Sequence, residues 1–338
     1  QKIENLKENQ RFTFIYYLLQ KYLWCVPAFA VDVSLFDYSR ILSAISCIIY
    51  DYQIQTKNGS DFRNIEEKEF LLLLEGDITG IQKFIYNIGK TQGIDNFSLS
   101  KALRGRSFLV SLIPEIISRY ILKSVGYTTA NLIYCGGGKF QILLANTDKN
   151  IGKVKNIEQQ LEEFFYHNFG CEIGIVLSYT PFSGEYLTGR NGKVYSQVIE
   201  KSQIKLDEKK KQKFSKLLNI DFKDSENLCP SCKTIPIIEN DTICHLCKKS
   251  NDIGDKLPKI KYVAFDIEKK KYLNTVNIDL GNFGKVYLVK EEEIDKFSDL
   301  EEILILNSTI FNQNNGFKFL GNTVPLIDES NVEFFRKL

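Results

Sequence analysis

Two cysteine pairs carry the strongest chemical signal in this 338-residue chain: Cys229-Pro-Ser-Cys232 and Cys244-His-Leu-Cys247, separated by an 11-residue loop. Cys-X2-Cys sets two thiolates on one tight turn, and a second such turn supplies the other two corners of a tetrahedron. Structural zinc is the usual occupant of a four-cysteine site; two disulfides or an iron–sulfur cluster draw on the same residues. His245 lies inside the second pair and could replace a cysteine, but ligation by all four cysteines is the simpler assignment. A complete four-thiolate centre has no open position, so it folds a segment and performs no chemistry.

A second signal is Glu75-Gly-Asp-Ile-Thr-Gly-Ile-Gln-Lys-Phe-Ile-Tyr86, which follows the apolar run Phe70-Leu-Leu-Leu-Leu74. Further on, Tyr134-Cys-Gly-Gly-Gly-Lys-Phe140 sits between the apolar runs Asn131–Tyr134 and Phe140–Ala145. A strand ending in an acidic Gly-rich turn, followed by a glycine hairpin, is the skeleton of a polymerase-type palm. In such palms the two turns lie side by side and hold a nucleotide with its metal ions. Asp77 stands where a palm places its first metal-binding carboxylate. Two-metal phosphoryl transfer needs at least one more, and Gly136-Gly-Gly-Lys139 carries none. The palm alone therefore lacks the charge to hold two magnesium ions. Thr79, Gly80 and the amides of Gly136 to Gly138 can cradle phosphate or ribose, with Lys139 neutralising a phosphate; equally, these are turn glycines beside a surface Asp. Arg104-Gly-Arg106 falls in a long helical stretch, where the glycine costs about 1 kcal/mol. Close packing against the palm turns would explain it. The two arginines then face triphosphate oxygens or an RNA backbone, or are a surface pair.

The elements that must position these residues follow from periodicity. Residues 10–23 and 41–50 read as helices, the latter opened by Ser34-Leu-Phe-Asp37 as a capping-box variant; residues 52–67 read as a linker. Residues 69–76 form a strand, 78–86 a helix, 100–124 a long helix, 129–135 and 139–145 a hairpin, 150–167 a helix and 171–178 a strand. The order β-α-β-β-α-β is that of a ferredoxin-like split βαβ domain. Residues 191–218 read as a helix ending in a basic run, and strands recur at 261–266, 277–280 and 285–289. The fold class is α+β: a helical N-terminal element (1–60), a ferredoxin-like palm (66–190), a helical linker with the four-cysteine zinc element (191–255) and a β-containing segment (256–338).

A hydrophobic content of 43% with 25% charged residues places the chain among ordinary globular proteins, and a net charge of +2 does not announce a nucleic-acid binder. Lys209-Lys-Lys211 reads as a solvated helix face. No apolar run approaches the ~20 residues that span a bilayer, and the polar start carries no signal peptide, so a cytoplasmic protein without membrane association is expected. Cys25, Cys47, Cys135 and Cys171 are scattered, as small buried hydrophobes would be. His167 and His245 are the only histidines, too few for a histidine-rich hydrolase site. Walker A and dinucleotide fingerprints are absent from the sequence.

Gly76-Asp-Ile-Thr-Gly-Ile-Gln-Lys-Phe-Ile85, Ala102-Leu-Arg-Gly-Arg-Ser-Phe108, Tyr134-Cys-Gly-Gly-Gly-Lys-Phe140 and the four-cysteine element, in this order, resemble the large subunit of type III CRISPR effector complexes. The Csm-type (III-A) branch is the nearest, and Tyr22-Leu-Trp-Cys-Val-Pro27 and Ser34-Leu-Phe-Asp37 are similar to it as well. The resemblance covers nearly the whole chain. It implies an RNA-guided antiviral complex whose large subunit has an HD nuclease domain for single-stranded DNA, two palms with a zinc element between them, and a C-terminal helical domain. The palms together convert ATP, with magnesium, into cyclic oligoadenylates when target RNA is bound. Catalytic metal chemistry resides in a Gly-Gly-Asp-Asp turn of the second palm. The chain departs from this pattern: it lacks the His-Asp pair of the nuclease, has Tyr38 where the family often has histidine, contains no Gly-Gly-Asp-Asp, and stops at Leu338. Carried over residue by residue, Asp77, Thr79, Gly80, Gln82, Lys83, Gly136, Gly137 and Gly138 border the ATP site, and no catalytic residue is assigned. Implied partners are guide and target RNA, the small subunit and the guide 5′-end-binding subunit, and a second palm in cis or trans. The rival expectation is a structural or RNA-contacting subunit with a degenerate palm and no nucleotide; a free-standing cyclase is disfavoured by the missing carboxylate.

Overall fold

The computed structural model describes residues 7–56, 64–89, 97–213, 227–238, 241–269, 275–310 and 315–320. Its first half is built around β1 (Leu71–Thr79), which pairs antiparallel with β3 (Lys139–Ala145) on one edge and with β4 (Gly174–Phe182) on the other. β2 (Leu132–Gly136) lies outside β3, giving the order β2-β3-β1-β4. With α3 (Ile81–Tyr86) and α4 (Leu99–Val125) between β1 and β2, and α5 (Asp148–Phe169) between β3 and β4, this is the expected split βαβ arrangement.

The unbroken apolar run of β1 has a physical reason. Leu72, Leu74 and Ile78 enter the main core with Ile113 and Ile117 of α4 and Leu161 and Phe165 of α5. Leu71 and Leu73 join a second core with Ile48 of α2 (Leu35–Thr56) and Val198 of α7 (Tyr195–Lys211), which follows the short α6 (Glu185–Thr188). A strand covered on both faces does not alternate.

Several boundaries differ from expectation. The ladder between β1 and β4 continues to the pair Thr79–Gly174, so the strand runs past Asp77 and the helix starts at Ile81, not Ile78. α2 starts directly after Ser34, whose Oγ accepts from the Asp37 amide at 2.9 Å. It runs on to Thr56 because its polar end has tertiary partners: Asp51 accepts from the Tyr127 hydroxyl at 2.6 Å and from Asn150 Nδ2 at 3.1 Å. Residues 52–56 are thus helix and not linker, and 57–63 lie outside the described residues. The expected 191–218 helix spans only Tyr195–Lys211, with its cap at Gln212, and residues 214–218 lie outside the described residues. Cys25 and Cys47 are exposed and Cys135 and Cys171 only partly buried, contrary to the expectation of four buried thiols.

α8 (His245–Lys256) is capped by Cys244, carries Cys247 in its first turn, and crosses α4 at very short range. A Cβ at Gly105 would lie 1.7 Å from the Ser250 carbonyl oxygen, and one at Gly254 would lie 1.8 Å from that of Lys101. The glycine between the two arginines therefore packs on α8, not on the palm turns. Beyond α8, β5 (Tyr262–Asp266), β6 (Asn277–Asp279), β7 (Lys285–Val289), β8 (Glu302–Leu306) and β9 (Asn315–Lys318) form a second sheet of order β6-β7-β5-β8-β9, antiparallel except for the β8–β9 pair. Its last two strands lie beyond those expected. Among the described residues, no helix is long and apolar enough to cross a membrane.

One buried ionic tie joins α1 (Glu8–Leu23), α4 and the second sheet. Arg119 of α4 donates to Glu302 of β8 through Nε at 2.6 Å and Nη2 at 2.7 Å, and Tyr17 of α1 donates to the same carboxylate at 2.8 Å. The Arg119 guanidinium also lies 4.1 Å from the Phe265 ring centre. Burial alone would raise the Glu302 carboxyl; Arg119 overrides it and holds the group below the usual range. A depressed carboxylate contributes stability above its unfolded pKa of ~4.3 and loses it as pH falls through the lower folded value. Arg119→Met should cost about 3–5 kcal/mol in urea unfolding at pH 7, because it strands a buried charge. Arg119→Met/Glu302→Leu together should recover most of that loss; equal loss in the single and double variants would show that it does not come from a stranded Glu302 charge.

Candidate functional site

The β1–β3 register sets Asp77 opposite Lys139, and the Ile78 amide donates to the Gly138 carbonyl at 2.9 Å. The acidic strand end and the glycine hairpin are therefore adjacent. Gly80, between β1 and α3, has φ +81°, and a Cβ there would lie 2.0 Å from the Glu172 carbonyl oxygen. Packing alone requires glycine at that position. Gly137 differs: at φ +60° it is exposed, and a Cβ would meet only the Tyr134 hydroxyl, at 3.8 Å. The hairpin tip is open surface, with Gly136 partly buried and Gly138 buried. Thr79 Oγ1 donates to the Gly174 carbonyl at 3.4 Å, while Gln82 and Lys83 stand exposed on α3.

Glu75 and Asp77 are both buried, next to α7. Glu75 accepts from Ser202 Oγ at 2.7 Å and from Gln203 Nε2 at 2.6 Å. Asp77 is not a surface residue: its Oδ2 lies 2.8 Å from Lys210 Nζ and 3.5 Å from Lys139 Nζ. Lys139 also donates to Gln203 Oε1 at 3.3 Å. Burial would lower the Lys210 ammonium, but hydrogen bonds to Asp77 and Asp207 raise it. Lys210 belongs to the basic run expected to be a solvated face, and its neighbour Lys209 pairs with Glu158 at 2.6 Å. Two ammonium groups, with side chains 33% and 36% exposed, thus converge on one carboxylate oxygen and still reach solvent. Such a cluster offers positive charge to an anion at the rim of the turn. A cavity of about 500 Å³ lies elsewhere, between α1, the end of α4 and the second sheet, where Arg119, Lys123, Glu268 and Glu301 are among its lining residues.

The four paired cysteines converge. Their Sγ atoms lie within 4.8 Å of one another, all buried. Cys229 and Cys247 are 3.9 Å apart, Cys232 and Cys244 3.7 Å. A tetrahedron with metal–sulfur arms of ~2.3 Å has edges of about 3.8 Å, whereas disulfide sulfurs lie at ~2.05 Å. The donor set fits a tetrahedral thiolate-bound metal ion. The Cys244 amide donates to Cys229 Sγ at 3.3 Å.

The arginine pair splits. Arg104 is partly buried and donates to the Gly254 carbonyl at 3.1 Å. Arg106 is fully buried, with Nη2 3.3 Å from Cys247 Sγ and Nη1 donating to the carbonyls of Phe84 and Asn87. It faces neither solvent nor a phosphate. Of the groups now seen around the two centres, Lys210, Gln203 and the thiolate-facing role of Arg106 were not assigned from sequence. The basic run and the Arg-Gly-Arg sequence were the only signals, and their partners lie far away along the chain.

The model of the Csm1 subunit domain B family matches residues 70–227. A "CRISPR system single-strand-specific deoxyribonuclease Cas10/Csm1 (subtype III-A)" of Enterococcus italicus is 30% identical over 286 residues, which is 78% of this chain and 37% of that protein. The protein of the same description from Streptococcus thermophilus is 29% identical over 234 residues, 64% of this chain and 30% of its own length. Among solved structures, an apo Csm1–Csm4 cassette superimposes with a TM-score of 0.68 at 21% identity, covering 94% of this chain and 40% of that one. A cassette in complex with one ATP gives 0.67 at 22% identity, covering 92% and 38%. The chain thus spans 30–40% of the length of these relatives, and the structural likeness is one of fold. With the split βαβ sheet, the Gly-rich turns and the four-cysteine cluster all in place, the chain belongs to the Csm1 family of subtype III-A CRISPR large subunits.

Proposed function

We propose that this chain supplies one ATP-binding wall for cyclic oligoadenylate synthesis, within the large subunit of an RNA-guided type III-A complex. The catalytic carboxylates come from a second, Gly-Gly-Asp-Asp-bearing palm, in cis or in trans. The observation that carries this reading is the neutralised Asp77: two lysines occupy the carboxylate that a catalytic palm would give to a metal ion. What the turn offers instead is open glycine backbone at Gly137 beside two ammonium groups, which suits a triphosphate whose magnesium is held from the other palm. Asp77, Thr79, Gly80, Gln82, Lys83 and Gly136 to Gly138 border that site. Asp77 acts there by holding Lys139 and Lys210 in place. Guide and target RNA and the other Csm subunits are the partners this reading implies. Cassettes of the same fold have been solved with one ATP and with AMPPNP, which supports adenine nucleotide as the ligand class.

Zinc is the ion we assign to Cys229, Cys232, Cys244 and Cys247. The thiolate set suits it, and a closed tetrahedron makes it a folding element. Because thiolates must give up the metal when protonated, retention should fall on acidification.

Three experiments test these assignments. Freshly purified protein should contain about one equivalent of zinc, and Cys232→Ser should lose it while the β1–β3 ladder stays protected; less than about half an equivalent in the parent would count against the site. The chain alone should make no cyclic oligoadenylate from ATP and magnesium, and synthesis abolished by Asp77→Ala would relocate the chemistry to this palm. In the assembled complex Gly137→Leu should weaken ATP binding and lower oligoadenylate output roughly tenfold or more. A left-handed leucine costs about 1–2 kcal/mol, too little to unfold the chain. Unchanged affinity and output would leave the palm a scaffold and favour the structural rival.

A further inference from the structure

We propose that Arg106 is the positioning residue that couples the four-cysteine centre to α3, so that metal retention and the order of the segment after the acidic turn both depend on its guanidinium fork. Like the zinc assignment on which it rests, it concerns this chain by itself and needs no nucleotide.

Four thiolates on a divalent ion leave roughly two negative charges in a buried site. Such charge is tolerated only with a compensating partner. Arg106 is a cation in direct contact: it is fully buried, its Nη2 lies 3.3 Å from Cys247 Sγ, and its guanidinium lies 4.8 Å from the Phe84 ring centre. The other terminal nitrogen points away from the sulfur. Nη1 donates to the Phe84 carbonyl and, at 3.0 Å, to that of Asn87. These carbonyls belong to the C-terminal end of α3, a six-residue helix too short to hold itself. One planar fork thus spans a thiolate and the unsatisfied end of a helix, which a lysine, as a point charge, does not reproduce.

The first cysteine turn grips the same segment independently. The Gly89 amide donates to the Ser231 carbonyl at 2.7 Å, and Asn87 Nδ2 donates to the Cys232 carbonyl at 2.9 Å. Thr234 Oγ1 donates to Glu172 Oε1 at 2.8 Å, a carboxylate that also takes Asn87. The main-chain carbonyl of Glu172 is the atom against which Gly80 is packed. Both cysteine turns therefore hold the exit of α3, the second through Arg106.

The test uses the full chain as isolated, with zinc release to a colorimetric chelator and backbone hydrogen exchange as readouts. Arg106→Met should release zinc at least ~10-fold faster, as loss of an outer-sphere partner does, and amides 84–89 should lose protection while β1 and β3 keep theirs. Arg106→Lys retains the charge without the fork. It should hold zinc better than Arg106→Met yet lose the same protection over 84–89, and it carries the test if the methionine variant does not fold. Stripping zinc from the parent should deprotect the same amides. The proposal is overturned if either folded variant releases zinc within about twofold of the parent and exchanges identically, or if zinc removal leaves 84–89 protected. A parent without metal overturns the four-cysteine assignment and the coupling together.

Discussion

The antiparallel pairing of β1 between β3 and β4 is the constraint on which the rest of this structure depends. Its register places Asp77 beside Lys139 and ties Ile78 to the carbonyl of Gly138. No loop conformation is then needed to bring the acidic strand end to the glycine hairpin. Slippage by one residue would send Glu75 and Asp77 into the apolar core and Leu74 and Ile78 out of it. Two hydrophobic cores, one on each face of β1, penalise that slip from both sides.

Charge placement then decides what the palm can do. A palm with an unpaired carboxylate row recruits divalent cations; this one has filled its carboxylates from α7. Ser202 and Gln203 satisfy Glu75, and Lys210 and Lys139 satisfy Asp77. The same helix that covers the sheet thus pairs its carboxylates and leaves ammonium groups at the rim. The four-cysteine element is fastened to the opposite flank of the turn, through α3, Asn87 and Arg106, so the segment leaving the acidic turn is held by both cysteine turns.

Much of this was readable from the sequence, for identifiable reasons. The cysteine spacing is set by ligand geometry, and β1 announces itself because burial on both faces removes alternation. α5 keeps Ile157, Leu161 and Phe165 at helical spacing because only one of its faces is buried. What was not readable depends on distant partners or weak patterns. α8 turns Leu246, Cys247, Ser250, Ile253 and Gly254 inward and its charged residues outward, but only two of the inward side chains are large aliphatics, and the helix starts inside the cysteine pair. Its close approach to α4 is also why Gly105 is glycine, a reason invisible from either helix alone. Lys210 looks like one lysine of a solvated run until the fold sets it on Asp77. Arg106 looks like a phosphate ligand until α8 brings Cys247 to it. Side chains whose meaning lies in one long-range contact leave no local periodicity to read.

If adenine nucleotide lies against the Asp77–Gly80 turn and the Gly136–Gly138 hairpin, as proposed, hydrogen exchange of the assembled complex with and without a non-hydrolysable ATP analogue will show it. Amides 78–80 and 136–139 then gain protection on nucleotide addition while the four-cysteine segment stays unchanged. Saturating nucleotide that protects other parts of the complex and leaves both turns unaltered would contradict that placement.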